Sequence, residues 1–391
     1  VCLISLLFKP IEGALAARVV RSGTSIQENL KGRQEQSHTF SIRDHSMTTP
    51  NHAQNHHQGI VLNGSSFAPH MFPADPLGPF EVKIALQSAS LNARDQMIRK
   101  GQYGEMPADL VPLSDGAGEV IAVGEQVTKW SVGDRVMPTF FQDWLEGPFP
   151  PHALSSALSS AEQPGVLREQ AKFHQDTLVR VPNHMSFQDA ATLPCAGVTA
   201  WHALFEQHRT LRPDDTVLIQ GTGGVAIFAL QLAKAFGARV ALISSSDEKL
   251  EKAKEMGADI TINYKTTPDW DVELRKLTDG HGADVVLDLG GKDTLERSIR
   301  AVAAHGLITQ VGVLTGWAHA PENISQLVLN NSSLSGVLVG SRTYFENLCA
   351  FVSKHQIKPL IDKSFSMSQI NEAYAYMDQA QHMGKVTIDI A

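Results

Sequence analysis

The chain has 391 residues, 42% of them hydrophobic and 19% charged, with a formal net charge of −8 at pH 7. The length sets a prior of two to three domains, and the negative charge removes the electrostatic case for a nucleic-acid partner. Cys2, Cys195 and Cys349 stand too far apart for a disulfide framework or a four-cysteine zinc lobe, and no apolar run approaches the length of a membrane span.

Residues 1–56 read as a disordered or non-native extension. Cys2 to Phe8 is a short apolar run, and the residues after it are mostly polar, with His52, His56 and His57 in an Asn/Gln-rich tract. Met47 is a candidate start. Arg18, Arg21, Arg33 and Arg43 suit a transit peptide, whereas Glu12, Glu28 and Glu35 do not. From Phe80 to Val136 short β runs are broken by glycine: Glu81 to Leu86 alternates, and Gly118 to Val123 is a strand. The stretch "GIVLNGSSFAPHMFPADPLGPFEVKI" fits a first hairpin only loosely. Residues 142–165, rich in Pro and Ser, read as a long surface loop. Leu178 to Val181 is a strand, and "SFQDAATLPCAGVTAWHALFEQ" is helical around Pro194.

Val217-Leu218-Ile219 is a short apolar run of the kind buried on both faces of a parallel sheet. Gly221, Gly223 and Ala226 come next at G-x-G-x-x-G/A spacing, within Gly221-Thr222-Gly223-Gly224-Val225. The first glycine permits a tight turn, the second lets backbone approach a pyrophosphate, and the small third residue lets helix pack on strand. Phe228 to Phe236 is helical, Gly237 ends it, and Arg239 to Ile243 is a second strand, which completes a βαβ unit with its helix N-terminus aimed at a phosphate. At the tip of the second strand an NAD site places Asp or Glu. Here stand Ser244, Ser245 and Ser246, with Lys249 one helical turn on. Hydroxyls and a cation suit a 2′-phosphate, so NADP(H) is the expected cofactor. Ser246 or Asp247 also reads as a plain helix cap, and an inward Asp247 would reverse the cofactor choice.

Alternation of helix and strand continues. Glu248 to Met256, Val272 to Thr278 and Thr294 to Ala301 are helices, while Ile260 to Ile262, Asp284 to Leu289 and Leu307 to Val311 are strands. Ser335 to Val339 is an apolar strand at the expected sheet edge, Tyr344 to His355 a helix, and "GKVTIDI" a strand that returns to the β domain.

From Gly59 to Ile390 the chain resembles the medium-chain dehydrogenase/reductase superfamily, and within it the zinc-independent quinone oxidoreductase branch. The resemblance rests on "SLNARD", "VPLSDGAGEVIAVGEQVTKWSVGDRV", "ATLPCAGVTAWHAL", "VLIQGTGGVAIFALQLAK", "SSSDEKLEKAKEMGAD", "INYKT", "VVLDLGG" and "GKVTI". It implies an α/β protein: a Rossmann doubly wound parallel sheet, residues 183–342, plus a discontinuous GroES-like β-rich catalytic domain, residues 57–182 and 343–391. Where zinc enzymes of the superfamily carry a Cys, a His-Glu pair and a further Cys or Asp, this chain has Asn92, Ser114-Asp115 and Cys195. That set is too poor for catalytic zinc, and Cys195 reads as a small buried hydrophobe or, more sharply, a redox-sensitive thiol. Arg94 replaces the zinc enzymes' proton-relay residue and has no dissociable proton.

The resemblance further implies hydride transfer from NADPH to a quinone or conjugated carbonyl. Asn92 and Asp95 are the implied catalytic residues at the cleft floor, Asn92 as a donor to an oxyanion or as a plain turn amide, Asp95 as an orienting group. Thr199 faces the cofactor, Tyr264 meets the 2′-phosphate, Gly312 and Val313 meet the carboxamide by backbone, and Lys385 is a cation near the cleft or a surface lysine. The implied partners are a small-molecule carbonyl or quinone substrate and a second copy of the chain in a homodimer, with no membrane or nucleic acid. The implied location is cytoplasmic, or mitochondrial if the extension is a transit peptide. Two rivals stand: an NADP-dependent alcohol or aldehyde dehydrogenase, and a non-catalytic NADPH-binding protein.

Overall fold

The computed structural model describes residues 56–316 and 321–390. In chain order the strands are β1 His56–Asn63, β2 Ser66–Pro73, β3 Glu81–Ser90, β4 Asp115–Val123, β5 Arg135–Pro138, β6 Gln170–His174, β7 Leu178–Arg180, β8 Thr216–Gln220, β9 Arg239–Ser244, β10 Ile260–Asn263, β11 Ala283–Asp288, β12 Val302–Gln310, β13 Ser333–Gly336, β14 Ile361–Ser366 and β15 Lys385–Asp389. The helices are α1 Ala93–Arg99, α2 Phe187–Ala190, α3 Val198–Phe205, α4 Gly224–Phe236, α5 Asp247–Glu255, α6 Trp270–Leu277, α7 Leu295–Ala301, α8 Gln326–Leu329, α9 Arg342–His355 and α10 Ile370–Asp378.

The strands sort into a hairpin, a mixed sheet and a parallel sheet. The hairpin is β1 with β2, turning at Asn63↔Ser66, so the loosely fitting first stretch does form a regular antiparallel pair. The mixed sheet runs β14-β15-β3-β4-β5-β7, with β6 also on β3. In β3, Val82, Ile84 and Leu86 are buried, as strand alternation requires of a half-covered sheet. C-terminal β15 lies antiparallel to β3 through Thr387↔Ser90, and so closes the GroES-like domain with the end of the chain.

The third sheet is parallel throughout, in the order β10-β9-β8-β11-β12-β13. This is the doubly wound order, with β8 first in sequence and the order reversing between β8 and β11. All of β8 is buried, which explains its uninterrupted apolar reading.

Three expectations need correction. Residues 142–165 are not a surface loop: Trp144, Ala153, Ser156, Ala157 and Leu158 are buried, and Phe140, Phe141, Trp144 and Phe149 pack edge to face. Backbone bonds from Arg342 N–H to the Trp144 carbonyl and from Thr343 N–H to Leu145 tie that stretch to the start of α9. Proline and serine content signalled irregular backbone but not its burial. The edge strand is Ser333–Gly336, two residues earlier than the apolar run, because "SGVLV" mostly turns in to the core: Val337 and Val339 are buried. Finally, α9 packs Phe345, Leu348 and Val352 into one core with α4, with Val179 of β7 and with Val181 just after it, so it bridges the two domains instead of opening the second catalytic segment. The expected extension over 1–56 lies outside the described residues, apart from His56, which opens β1.

Candidate functional site

The carboxyl ends of β8, β9, β11 and β12 build the first half of the site. Gly221 leaves β8 with φ +80°, a left-handed turn open to glycine, and its N–H donates to the Ile243 carbonyl at 2.7 Å. Gly223 is the N-cap of α4, and a Cβ placed there meets no protein atom within 4 Å. That open backbone at the start of a thirteen-residue helix, whose first N–H groups lack intrahelical partners, fits an anionic pyrophosphate. Thr222 is buried, Val225 half-buried, and Ala226 wholly buried, as close helix–strand packing requires. Gly312 lies so near β11 that a Cβ would stand 2.1 Å from the Leu289 carbonyl oxygen. The loop carrying Gly312 and Val313 is thereby pressed on the end of β11 beside the switch point. Sequence reading missed what holds this edge. Gln220 Oε1 accepts the N–H of Leu289 at 3.1 Å and of Gly290 at 3.3 Å, and its Nε2 donates to Ser298 at 2.8 Å. A glutamine closing an otherwise apolar strand just before the glycines was the available signal.

At the end of β9, Ser246 caps α5 by accepting the Lys249 N–H. Ser245 is half-buried, and Tyr264 is 41% exposed with its N–H bonded to the Ser244 carbonyl at 3.1 Å. The Lys249 ammonium donates to the carbonyls of Ala380 at 3.0 Å and His382 at 2.9 Å, so one of its three protons is left for a further acceptor. Asp247 accepts from the Asn263 amide at 2.7 Å through Oδ1.

The second half of the site hangs on Lys385, at the start of β15. It is 3% exposed, which overturns the surface-lysine reading. Its stem passes the glycine turn after β8: a Cβ on Gly224 would lie 2.7 Å from Lys385 Cδ, and the Gly384 N–H donates to the Thr222 carbonyl at 2.9 Å. Its ammonium donates to the Leu91 carbonyl at 2.7 Å and to Asn92 Oδ1 at 2.5 Å, and lies 3.7 Å from Asp115 Oδ2. Asp115 is fully buried and also accepts from the Ser114 hydroxyl at 2.9 Å and the Cys195 N–H at 3.2 Å. Burial raises the Asp115 carboxyl above its ordinary range, and the Lys385 ammonium opposes that shift. A π-helical turn at Leu193–Gly197, containing Pro194, presents the Cys195 N–H, and the Thr199 hydroxyl donates to the Cys195 carbonyl at 2.7 Å.

Asn92 caps α1. Its N–H donates to Asp95 Oδ2 at 2.7 Å, which makes Asp95 a capping group buried beneath Asn92. Burial pushes the Asp95 carboxyl up to about 6. This geometry is in keeping with the expected orienting role of Asp95, whose carboxylate holds the Asn92 backbone. Arg94 faces the other way and donates to the Leu158 and Ser159 carbonyls at 2.9 and 2.8 Å. Thus Asn92, Thr199, Gly224 and Lys385 form one contact chain with Asp115 and Cys195. Ser245, Ser246, Lys249 and Tyr264 gather at the β9–β10 end. The pair Ser114-Asp115, read from sequence as lost metal ligands, is the anionic partner of a buried lysine. An acidic residue in "LSDGAG" and a cation in "GKV", each opening an otherwise uncharged strand start, were the signals.

The zinc positions of the superfamily do not suit zinc here. Asn92 and Ser114 are poor zinc ligands, Asp115 faces an ammonium, and burial of the Cys195 sulfur raises its thiol pKa, with Asp115 adding to the shift. Among the described residues no three His, Cys, Asp or Glu side chains could hold a metal ion. No described helix is long and apolar enough to cross a membrane.

Two family profiles match the chain: Alcohol dehydrogenase GroES-like domain over residues 78–183, and Zinc-binding dehydrogenase over residues 224–354. A zinc-type alcohol dehydrogenase-like protein of Schizosaccharomyces pombe is 42% identical over 320 residues, 80% of this chain and 92% of that one. A quinone oxidoreductase-like protein 2 homologue of Nematostella vectensis is 31% identical, over 81% of this chain and 84% of its own length. Among solved structures, one assigned as an alcohol dehydrogenase from Sinorhizobium meliloti 1021 superposes with a TM-score of 0.81 at 36% identity, covering 86% of this chain and 99% of that one. Domain order, strand order and kinship over four-fifths of its length agree, and the chain belongs to the medium-chain dehydrogenase/reductase superfamily of oxidoreductases.

Proposed function

We propose that the protein is an NADPH-dependent reductase of quinones or conjugated carbonyls and alkenes that works without catalytic zinc. The observation that carries this reading is the Lys385 ammonium lodged between Asn92 Oδ1 and Asp115, at positions where the family resemblance implies zinc ligands. An alcohol oxidised to a carbonyl must lose its hydroxyl proton to a metal-bound or general base, and the Asn92 amide is neither, whereas a conjugated acceptor is already electron-poor. Bound NADPH would supply a hydride, two electrons and one proton, to the acceptor, and solvent would supply the second proton. The chain's own part is placement. The Gly221–Val225 loop and the α4 N-terminus would take the pyrophosphate, Gly312 and Val313 the carboxamide, and Thr199 the nicotinamide side. Asn92 would donate to the oxygen that gains charge. NADPH is favoured over NADH by Ser245, Tyr264 and the spare proton of Lys249. The quinone oxidoreductase-like relative supports the acceptor class.

The test is a panel of acceptors, a simple quinone, an enone and a primary alcohol, each assayed with both cofactors. Quinone or enone turnover with NADPH at least tenfold better than with NADH is expected, since each charge-assisted bond to a phosphate contributes about 1.5–3 kcal/mol. Alcohol oxidation alone would instead favour a dehydrogenase. Tight NADPH binding with no turnover would mark a cofactor-binding protein.

A further inference from the structure

We infer that Lys385 is a positioning residue whose ammonium fixes the orientation of the Asn92 carboxamide, not a ligand of the cofactor phosphates. The inference rests on the reading of Asn92 as the donor to the acceptor oxygen. An asparagine amide has nearly the same shape after a half-turn about its terminal bond, so only its hydrogen bonds decide which end is oxygen. A lysine ammonium donates and never accepts. With Lys385 Nζ 2.5 Å from one end of the amide, that end must be the oxygen, and Nδ2 is fixed at the other.

The rest of the lysine's surroundings hold it in this task. The stem is wedged against Gly224, so the head has little freedom to swing. Its donors are spent on Asn92, on the Leu91 carbonyl at 2.7 Å and toward Asp115 at 3.7 Å. Asp115 is itself fastened by Ser114 and the Cys195 N–H, so the ammonium sits in a preformed cage. At the far end, Asn92 Nδ2 is buried and has no hydrogen-bond partner of normal geometry, although the Asp115 carboxylate is near enough to feel the amide. Buried donors are rarely left unpaired, so an amide N–H with no full bond to Asp115 is available to an acceptor oxygen held against Asn92. Lys385 thereby links the phosphate loop, which its stem touches, to the amide that meets the substrate.

The test uses the full chain with two substitutions at the anchor. Lys385→Met alone would leave Asp115 buried and uncompensated, so Lys385→Met/Asp115→Asn, which removes both charges, is made beside it. Three quantities are read: the Asn92 amide orientation by neutron diffraction from crystals of the cofactor-free variants, where deuterons mark Nδ2, the Kd for NADPH by nicotinamide fluorescence, and kcat with a simple quinone. Expected in both variants, and decisively in Lys385→Met, which keeps Asp115, are an Asn92 amide that leaves its parent orientation, a Kd within threefold of the parent and a kcat at least tenfold lower. Adding Asn92→Ala to the double variant should lower kcat no further, because the same interaction is already lost. An Asn92 that keeps its single orientation, or a Kd raised tenfold with kcat kept, overturns the inference, the latter marking Lys385 as a phosphate ligand. If the parent turns over no quinone, the functional reading falls, and the Asn92 conformation still decides the role of Lys385.

Discussion

A methyl group at Gly223 meets nothing in the protein, while one at Gly312 would strike the Leu289 carbonyl at 2.1 Å. The two glycines therefore separate binding from folding. Gly223→Ala should leave the thermal midpoint within a degree or two and weaken NADPH at least tenfold, because the added carbon occupies space the pyrophosphate needs. Gly312→Ala should lower both. A Gly223→Ala protein that binds NADPH like the parent would show that the pyrophosphate lies elsewhere. Asp95 makes a second prediction. Its carboxyl is raised to about 6 in the folded chain against about 4 unfolded, so the folded state prefers the proton. The cost of burying the charge is complete above pH 6, falls as pH drops through that value and is gone below about 4, and amounts to about 3 kcal/mol. Asp95→Asn, whose amide oxygen still caps the Asn92 N–H, should be more stable than the parent at pH 7.5, by a margin that shrinks toward pH 5. Denaturation midpoints across that range check it, and a margin that grows on acidification would contradict the burial argument.

Individual elements were readable from sequence where one residue pattern had one physical outcome. The β8–α4–β9 unit was legible because buried parallel strands, a glycine turn and a helix stop leave few alternatives. The β9 edge was legible in residue type but not in contacts. Lys249 was visible as a cation one turn past Ser245, yet its bonds to Ala380 and His382 come from a segment more than a hundred residues away. The same holds for Lys385 and Asp115, whose pairing needs β15 laid against β3 and β4 beside it. Helix α1 and strand β14 were missed, since "ARDQMIR" and "IDKSFS" are too short and too polar to carry a period. At the element scale the cofactor prediction becomes specific. Lys249→Met should erode the preference for NADPH over NADH toward parity while leaving NADH use within a few-fold of the parent. Equal loss with both cofactors would instead assign Lys249 to bracing the 380–382 turn.

Among the described residues, β13 leaves one edge of the parallel sheet bare, with Leu338 49%, Val328 81% and Leu329 82% exposed in the same stretch of chain. An open edge beside apolar surface invites pairing with a second copy about a two-fold axis. The Val337 N–H is already bonded to the Gln310 carbonyl at 3.0 Å, so by strand alternation the Gly336 N–H faces outward. Gly336→Pro should turn a parent dimer into a monomer without unfolding it, as light scattering reads; a dimer that persists would put the contact on another surface. The central claim is that hydride transfer from NADPH on this fold needs no catalytic metal, the buried Lys385 ammonium standing between Asn92 and Asp115. Its most direct measurement is the rate of NADPH oxidation by 1,4-benzoquinone, catalysed by metal-stripped protein in the presence of a chelator and compared with the same protein given equimolar zinc. Turnover above the uncatalysed rate, equal in both samples, is expected. Activity that appears only when zinc is restored would contradict the claim.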